Sequence, residues 1–532
     1  MKSLMKKVFA AAAAIATVFG LAATTVATAN AADNATLTVS TTDAKFAGKT
    51  VNAYKMFSAT VSGDGKAVSY TLTDEWKPFF KNSVGLTGVT DENVNDKAND
   101  YVSKLKDSAL TAFAAKASNW AQTKANNITA DATATVSADA SNGKYTATFT
   151  GLGYGYYVVA VPGATLANAK SQYATLVSVH STKVDADIKG DLPTVDKKVQ
   201  VDGTGKDATD AKIGDTLTFT LTSTIPDMSA YDTYTFNFKD TLSKGLTFGQ
   251  VKSVKVENVT LTENTDYTVT TPTASNNNTL TVAMKDFKTK QQANAGKKIT
   301  VTYTATLNEN AVVGGAGNVN SAKIQYSNNP STNGTGESEP SKVRVFTYGF
   351  TVDKYTGGSY DDTATRLAGA EFTLAPKNDT DSTAISFVQV NAGNATTNAV
   401  YRVAKAGETA TTTTITTPAN GKVVFEGLEN GEYTLTETKA PAGYNKLASA
   451  IGVKVDGQNN GTDTTNATVT ITYNNDNGND YNQTASNGVI PVQNKSGAIL
   501  PGTGGMGTIA FTVIGVLVIA LGVAWTLKRK NA

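Results

Sequence analysis

Thr216-Leu-Thr-Phe-Thr-Leu-Thr222 alternates threonine with apolar residues, and this period of two decides the fold class. Successive side chains of a strand point to opposite faces, so Leu217, Phe219 and Leu221 share one face and the threonines the other. Ile299-Thr-Val-Thr-Tyr-Thr-Ala305 and Tyr433-Thr-Leu-Thr-Glu437 repeat the pattern. Polar turns, such as Asn276 to Asn278 and Asn474 to Asn479, separate these runs. Short strands at this density predict an all-β protein built of tandem Ig-like β-sandwiches. One segment, Asn99 to Lys124, reads instead as a helix. Tyr101, Leu105, Leu110, Phe113 and Trp120 form its expected buried stripe, packed on a sheet.

The chain has 532 residues, a formal net charge of +2 and 17% charged residues, so nothing in it suggests nucleic acid or a polyanionic partner. Cysteine is absent and His180 is the single histidine. That removes disulfides, most metal sites and nearly all Ser-His or Cys-His catalysis. No cofactor is expected. An acidic loop for calcium remains open, but none is specific enough to name. Composition shifts at Lys189-Gly190-Asp191-Leu192-Pro193 and across Asn328 to Ser341 suggest domains at about 32–190, 191–343 and 344–499. Phe149-Thr-Gly-Leu-Gly-Tyr-Gly-Tyr-Tyr157 in the first echoes Phe425-Glu-Gly-Leu-Glu-Asn-Gly-Glu-Tyr433 in the third. The same alignment puts Val161 opposite Glu437.

Both ends carry processing signals. A basic start, Met1 to Lys7, leads into the apolar run Val8 to Ala23 and the small-residue exit Ala29-Asn30-Ala31. This is the form of a secretory signal peptide, with residues 1–31 removed. At the other end Leu500-Pro501-Gly502-Thr503-Gly504 precedes an apolar stretch from Ile509 to Leu527 and then Lys528-Arg529-Lys530. Such a stretch spans roughly 28 Å as a helix, about one bilayer core. The arrangement over 500–532 resembles the LPxTG sorting signal of sortase substrates. The resemblance implies cleavage between Thr503 and Gly504 and transfer of the threonine carbonyl to an amine. It also implies an exported protein anchored to a Gram-positive cell wall, held only transiently in the membrane by 509–527.

Strand parity singles out polar residues on apolar faces. Phe350, Val352 and Lys354 share a face, as do Tyr433, Leu435 and Glu437, and also Ile490, Val492 and Asn494. Earlier in the chain Val195, Lys197 and Val199 share one, and so do Tyr234, Phe236, Phe238 and Asp240. Asn320, Ala322, Ile324 and Tyr326 share another, with Asn318 at the same parity. Parity alone leaves two readings. In one, these are strand-end residues reaching solvent or forming buried ion pairs. In the other, a lysine amine attacks an asparagine side-chain carbonyl, forming an isopeptide bond with loss of ammonia. Burial favours the neutral forms of an amine and a carboxyl, by up to ~3–5 pKa units. The fold then holds the reacting atoms together at effective molarities of ~10⁵–10⁸ M. Such a bond would tie the first strand of a domain to its last, in place of a disulfide.

Lys354 with Leu367-Ala-Gly-Ala-Glu-Phe-Thr-Leu374, Tyr433-Thr-Leu-Thr-Glu-Thr-Lys-Ala-Pro-Ala-Gly-Tyr444 and Val492-Gln-Asn494 resembles a CnaB-type domain of Gram-positive surface proteins. Pro193-Thr-Val-Asp-Lys-Lys-Val199, Phe238-Lys-Asp-Thr-Leu-Ser-Lys-Gly-Leu-Thr-Phe248 and Tyr326-Ser-Asn-Asn-Pro330 resemble the isopeptide-forming middle domain of major pilins, of CnaA/CnaB type. The resemblance is weaker over the first domain. It implies bonds Lys197–Asn320, with Asp240 as the assisting carboxyl, and Lys354–Asn494, with Glu437 in that role. Val161 carries no carboxyl, so no such bond is expected in the first domain. The family further implies a pilus shaft subunit, not an enzyme. Its partners would be pilin-specific and housekeeping sortases, identical subunits, minor pilins and peptidoglycan.

A shaft subunit needs a lysine that accepts the threonine of the next subunit. The YPK-like motif that often carries it in relatives is absent. Lys189 occupies the corresponding linker. Val184, Ala186 and Ile188 alternate with polar residues, which predicts Lys189 exposed, with Lys183 at the same parity as the second candidate. Two other readings stay open: a monomeric wall-anchored adhesin binding host or glycan ligands, and a wall-anchored enzyme.

Overall fold

The computed structural model describes residues 34–330, 332–377, 383–458, 467–475, 478, 480–497 and 506–530. Six sheets follow one another along the chain in three facing pairs. The first pair sets a three-stranded sheet, Tyr145–Leu152, Ala35–Thr41 and Lys183–Asp187, against a five-stranded one centred on Thr50–Val61 and Gly155–Thr165. The second sheet is covered on both sides. Val51, Tyr157 and Val159 face the first sheet, whereas Tyr54, Phe57, Val158 and Ala160 face helices. Gly155–Thr165 is therefore buried almost without alternation, as a doubly covered strand must be.

The helical layer differs from the single helix expected over Asn99 to Lys124. It consists of Lys77–Asn82, Val94–Ser103 and Asp107–Gln122. Asp107 stands at φ +48°, so the helical run is interrupted between the last two. Of the expected stripe only Phe113 is fully buried, whereas Tyr101, Leu105, Leu110 and Trp120 are half-buried. Ala98, Val102, Ala114, Ala117 and Ala121 complete the packed face. Small residues let these helices lie close to the sheet, and a search for large apolar side chains passes over them.

The middle pair comprises a six-stranded sheet with Asp196–Val201, Thr216–Thr224 and Lys298–Leu307 as neighbours, and a seven-stranded sheet. In the latter, Ser341–Phe346, Asn318–Ser327 and Phe236–Leu242 lie side by side. Residue 343, where composition suggests a boundary, lies inside Ser341–Phe346, and the next strand is Tyr348–Thr356. The polar stretch Asn328 to Ser341 itself contributes Thr335–Glu337 to the middle sheet. Its composition reflects exposure at a sheet edge.

The third pair joins Tyr348–Thr356, Lys422–Leu428 and Val489–Gln493 in one sheet to Glu371–Pro376, Gly431–Lys439 and Ile451–Gly457 in the other. Its first and last strands run parallel and adjacent, Lys354 opposite Val492. A helix, Met506–Lys530, closes the described chain. Over Phe511–Lys530 it is long and apolar enough to cross a membrane by length and composition. Lys528, Arg529 and Lys530 occupy its last turn.

Candidate functional site: two buried lysine–carboxylate–asparagine clusters

The alternation that buries Val199 also buries Lys197, one pleat repeat away on the same face. Lys197, Asp240 and Asn320 are each 0% exposed. Lys197 comes from the six-stranded sheet and the other two from adjacent strands of the facing sheet. The Lys197 ammonium contacts Asp240 Oδ2 and lies 2.9 Å from the Tyr303 hydroxyl. Tyr303 in turn donates to Asp240 Oδ2 at 2.6 Å and accepts from Asn320 Nδ2 at 2.6 Å. Phe219 and Tyr303 stack on each other at 5.3 Å, and the Lys197 nitrogen sits 5.1 and 5.2 Å from their ring centres. Burial pushes the Lys197 amine down to about 8 against the opposing attraction of Asp240. Burial pushes the Tyr303 hydroxyl well above its usual value, Asp240 adding to the effect.

Asn318 and Asn320, alike by parity, separate here. Asn318 is buried, but its Oδ1 accepts from Val312 N at 2.9 Å and its Nδ2 donates to the Val312 and Val345 carbonyls, both at 3.2 Å. It is a loop anchor with its polar atoms engaged. Among the described residues Asn320 Oδ1, by contrast, has no hydrogen-bond partner, and neither does Asp240 Oδ1. Such orphans cost about 1–3 kcal/mol each in a fold that keeps them. Asn320 does not lie on the last strand of its sheet pair. Ser341–Phe346 follows it, so Lys197 and Asn320 do not lie on the first and last strands of their pair as the sequence reading expects.

In that third pair, Lys354, Glu437 and Asn494 are 0%, 2% and 1% exposed. Gly421 makes room beside Lys354. It stands at φ +71°, and a Cβ there would lie 2.5 Å from the Lys354 carbonyl oxygen. Lys354 Nζ is 3.0 Å from Glu437 Oε1, an ionic contact that lacks hydrogen-bond alignment. Glu437 Oε2 accepts from Asn494 Nδ2 at 3.0 Å and from Leu447 N at 2.7 Å. Asn494 Nδ2 also donates to the Asn445 carbonyl at 2.8 Å, and its Oδ1 has no partner among the described residues. Burial pushes the Lys354 amine down to about 8, with Glu437 pulling the other way. Each cluster thus assembles a weakened lysine base, a carboxyl and an amide whose oxygen is unengaged.

Tyr303 escapes a reading of sequence alone. Its parity with Ile299, Val301 and Ala305 marks it as interior, but a tyrosine among strand residues is ordinary. Only the facing sheet supplies its partners. Lys189 is exposed and its backbone N–H donates to the Tyr173 hydroxyl at 2.9 Å; Lys183 is exposed as well. Leu500, Pro501, Thr503 and Gly504 lie outside the described residues, as does the segment 1–31.

The first pair lacks such a cluster at the matching place. Its repeat with the third is structural: Tyr157 donates to the Gly153 carbonyl at 2.7 Å and Tyr433 to that of Glu429 at 2.8 Å. Ile188 N bonds to the Ser40 carbonyl as Asn494 N does to that of Tyr355. By this register Val39, Val161 and Ile188 stand where Lys354, Glu437 and Asn494 do, and all three are buried.

Residues 213–330 match the Gram-positive pilin backbone subunit 2, Cna-B-like domain, and residues 356–471 the SpaA prealbumin-like fold domain. The trypsin-resistant surface T6 protein of Streptococcus pyogenes is 26% identical over 283 residues, 48% of this chain and 44% of that protein. The match therefore spans less than half the length of that relative. Among solved structures, the T6 backbone pilin of serotype M6 S. pyogenes superposes with a TM-score of 0.44 at 18% identity, covering 88% of this chain and 99% of its own. The BcpA major pilin of Bacillus cereus gives 0.39 at 18%, covering 87% and 99%. On the two family models, the chain carries a Gram-positive pilin backbone Cna-B-like domain followed by a SpaA prealbumin-like domain.

Proposed function

We propose that this chain is a structural pilus shaft subunit, exported, polymerised by a sortase and strengthened by two self-formed isopeptide bonds. The observation that carries the reading is the pair of buried clusters, Lys197–Asp240–Asn320 and Lys354–Glu437–Asn494. A buried ion pair is seldom a net stabiliser, because desolvation offsets its attraction. Two such pairs, each beside a buried asparagine, are better accounted for as reaction sites. The neutral lysine attacks the asparagine Cγ, a C–N bond forms, and the amide nitrogen leaves as ammonia. In the third pair the carboxyl touches the amide and, in its acid form, would polarise it; the amide oxygens of both clusters have no partner among the described residues. Transfer of one proton from the lysine ammonium to its paired carboxylate would supply both the neutral amine and the acid, within a dry core and without an enzyme.

The match of residues 213–330 to a Gram-positive pilin backbone domain supports the shaft role, and the terminal apolar helix with its basic end fits a sorting signal. In this reading Thr503 passes from a sortase cysteine to Lys189 of a sister subunit, and at the fibre base to peptidoglycan. Minor pilins would join by the same chemistry. The mature units would be 32–190, a middle unit ending at the Ser341–Phe346 strand, and a third from Tyr348. Immunoblots of cell walls test the role. A ladder of SDS-resistant species is expected, collapsing when Lys189 and Lys183 are both replaced by alanine. A single wall-bound band in the wild type would reject it.

A further inference from the structure

The two clusters solve one geometric problem with different parts. In the third pair a single carboxyl touches both reactants, Glu437 Oε1 at Lys354 Nζ and Oε2 at Asn494 Nδ2, each 3.0 Å away. Asp240 is one methylene shorter. It contacts Lys197, but the hydrogen bond from Asn320 Nδ2 goes to the Tyr303 hydroxyl. That hydroxyl touches the lysine, the carboxyl and the amide at 2.9, 2.6 and 2.6 Å. We propose that Tyr303 is a catalytic residue of the middle site, relaying a proton from Asp240 to the departing nitrogen of Asn320.

The inference rests on the reading of Lys197–Asn320 as a bond-forming pair. The steps balance as follows. Lys197 Nζ, a neutral amine once its extra proton has passed to Asp240, adds to Asn320 Cγ. In the tetrahedral intermediate the former amide nitrogen regains a lone pair and becomes an acceptor. The Tyr303 hydroxyl, until then accepting from it, gives it a proton and takes one from the Asp240 acid. The Cγ–Nδ2 bond breaks, ammonia leaves, and the Asp240 carboxylate takes up the proton shed by the lysine nitrogen. One C–N bond forms and one breaks, with no change of oxidation state. Burial keeps Tyr303 a neutral hydroxyl, as a relay requires. Its ring is held by stacking on Phe219, so the hydroxyl is fixed in place.

Tyr303→Phe keeps the ring and its stacking and removes only the relay. Positioned proton transfer contributes about 10²–10⁴-fold to such reactions, so the Lys197–Asn320 bond should close slower by that factor. Intact mass of the freshly purified variant should show one retained ammonia, lost only on long incubation. Peptide mapping should place the retained amide at Asn320, with Lys354–Asn494 joined as in the wild type. Tyr303→Phe combined with Asp240→Glu restores a carboxyl long enough to reach Asn320, and should close faster than the single variant. A Tyr303→Phe chain that is fully bonded on purification overturns the proposal, whatever its melting temperature. A double variant no faster than the single one also overturns it. Retention of the Asn320 amide in the wild type would reject the bond itself, and the relay with it.

Discussion

The first and third sheet pairs share a strand-turn-strand repeat, the same tyrosine-to-carbonyl bond and the same parallel pairing of first and last strands. They differ at three interior positions. Val39, Val161 and Ile188 fill the first with apolar side chains, where the third buries Lys354, Glu437 and Asn494. One backbone plan therefore accepts either a close-packed apolar core or a buried polar cluster. Position along the chain gives the difference a purpose. If polymer links enter at Lys189 and leave at Thr503, tension passes through the middle and third units, while the first hangs beside the path. A cross-link would be idle there. Apolar packing, at about 1.5–3 kcal/mol for each large side chain fully buried, suffices.

The largest expected break in this comparison is Glu437→Ala. The bond in the third pair should not close, one ammonia should be retained, and stability should fall by about 4–5 kcal/mol, by analogy with a disulfide closing a loop of order 100 residues. Thermal melting with protease digestion checks this, and an unchanged mass with unchanged melting would contradict it. Next comes the reciprocal change. Val161→Glu places a carboxylate in the first core without a partner, and should cost about 3–5 kcal/mol. Adding Val39→Lys should recover part of that loss, and a double-mutant cycle by urea unfolding measures the coupling. Absence of any recovery would show that the two positions do not correspond as the register implies.

A smaller effect concerns pH. Asn494→Ala cannot bond and leaves Lys354 buried as an amine. The folded-state value of about 8 lies below the ordinary 10.5, so between them the unfolded chain binds more protons. Stability must therefore rise as pH climbs from about 8 to 10.5, and stay level with respect to this group below 8. Asn494→Ala with Lys354→Met, which lacks the amine, provides the flat reference; a matching slope in both would exclude Lys354 as the cause. The smallest expected effect is on what the two units share. Tyr157→Phe and Tyr433→Phe each remove one hydrogen bond and should cost about 0.5–1.5 kcal/mol, alike in both units.

Much of this was legible in the residues. Alternation along Thr216 to Thr222 and Ile299 to Ala305 placed the strands, and parity placed Lys197, Asp240, Lys354 and Glu437 inside. Parity is a property of one strand, so it left Asn318 and Asn320 equal. Their difference lies in a loop at Val312 and in a hydroxyl from another strand. The role of Tyr303 was hidden for the same reason. The split helix was missed because alanines rather than large apolar residues build its packed face, and because the break falls at a left-handed Asp107. The polar stretch before Ser341 read as a linker, yet edge strands are often polar where they meet solvent.

The most direct test is intact-mass measurement of the folded chain spanning residues 32–499, followed by mapping of branched peptides. The account predicts a mass short by two ammonias, with branches joining Lys197 to Asn320 and Lys354 to Asn494 and none within the first unit. A chain of full mass, or a branch at other residues, would contradict it.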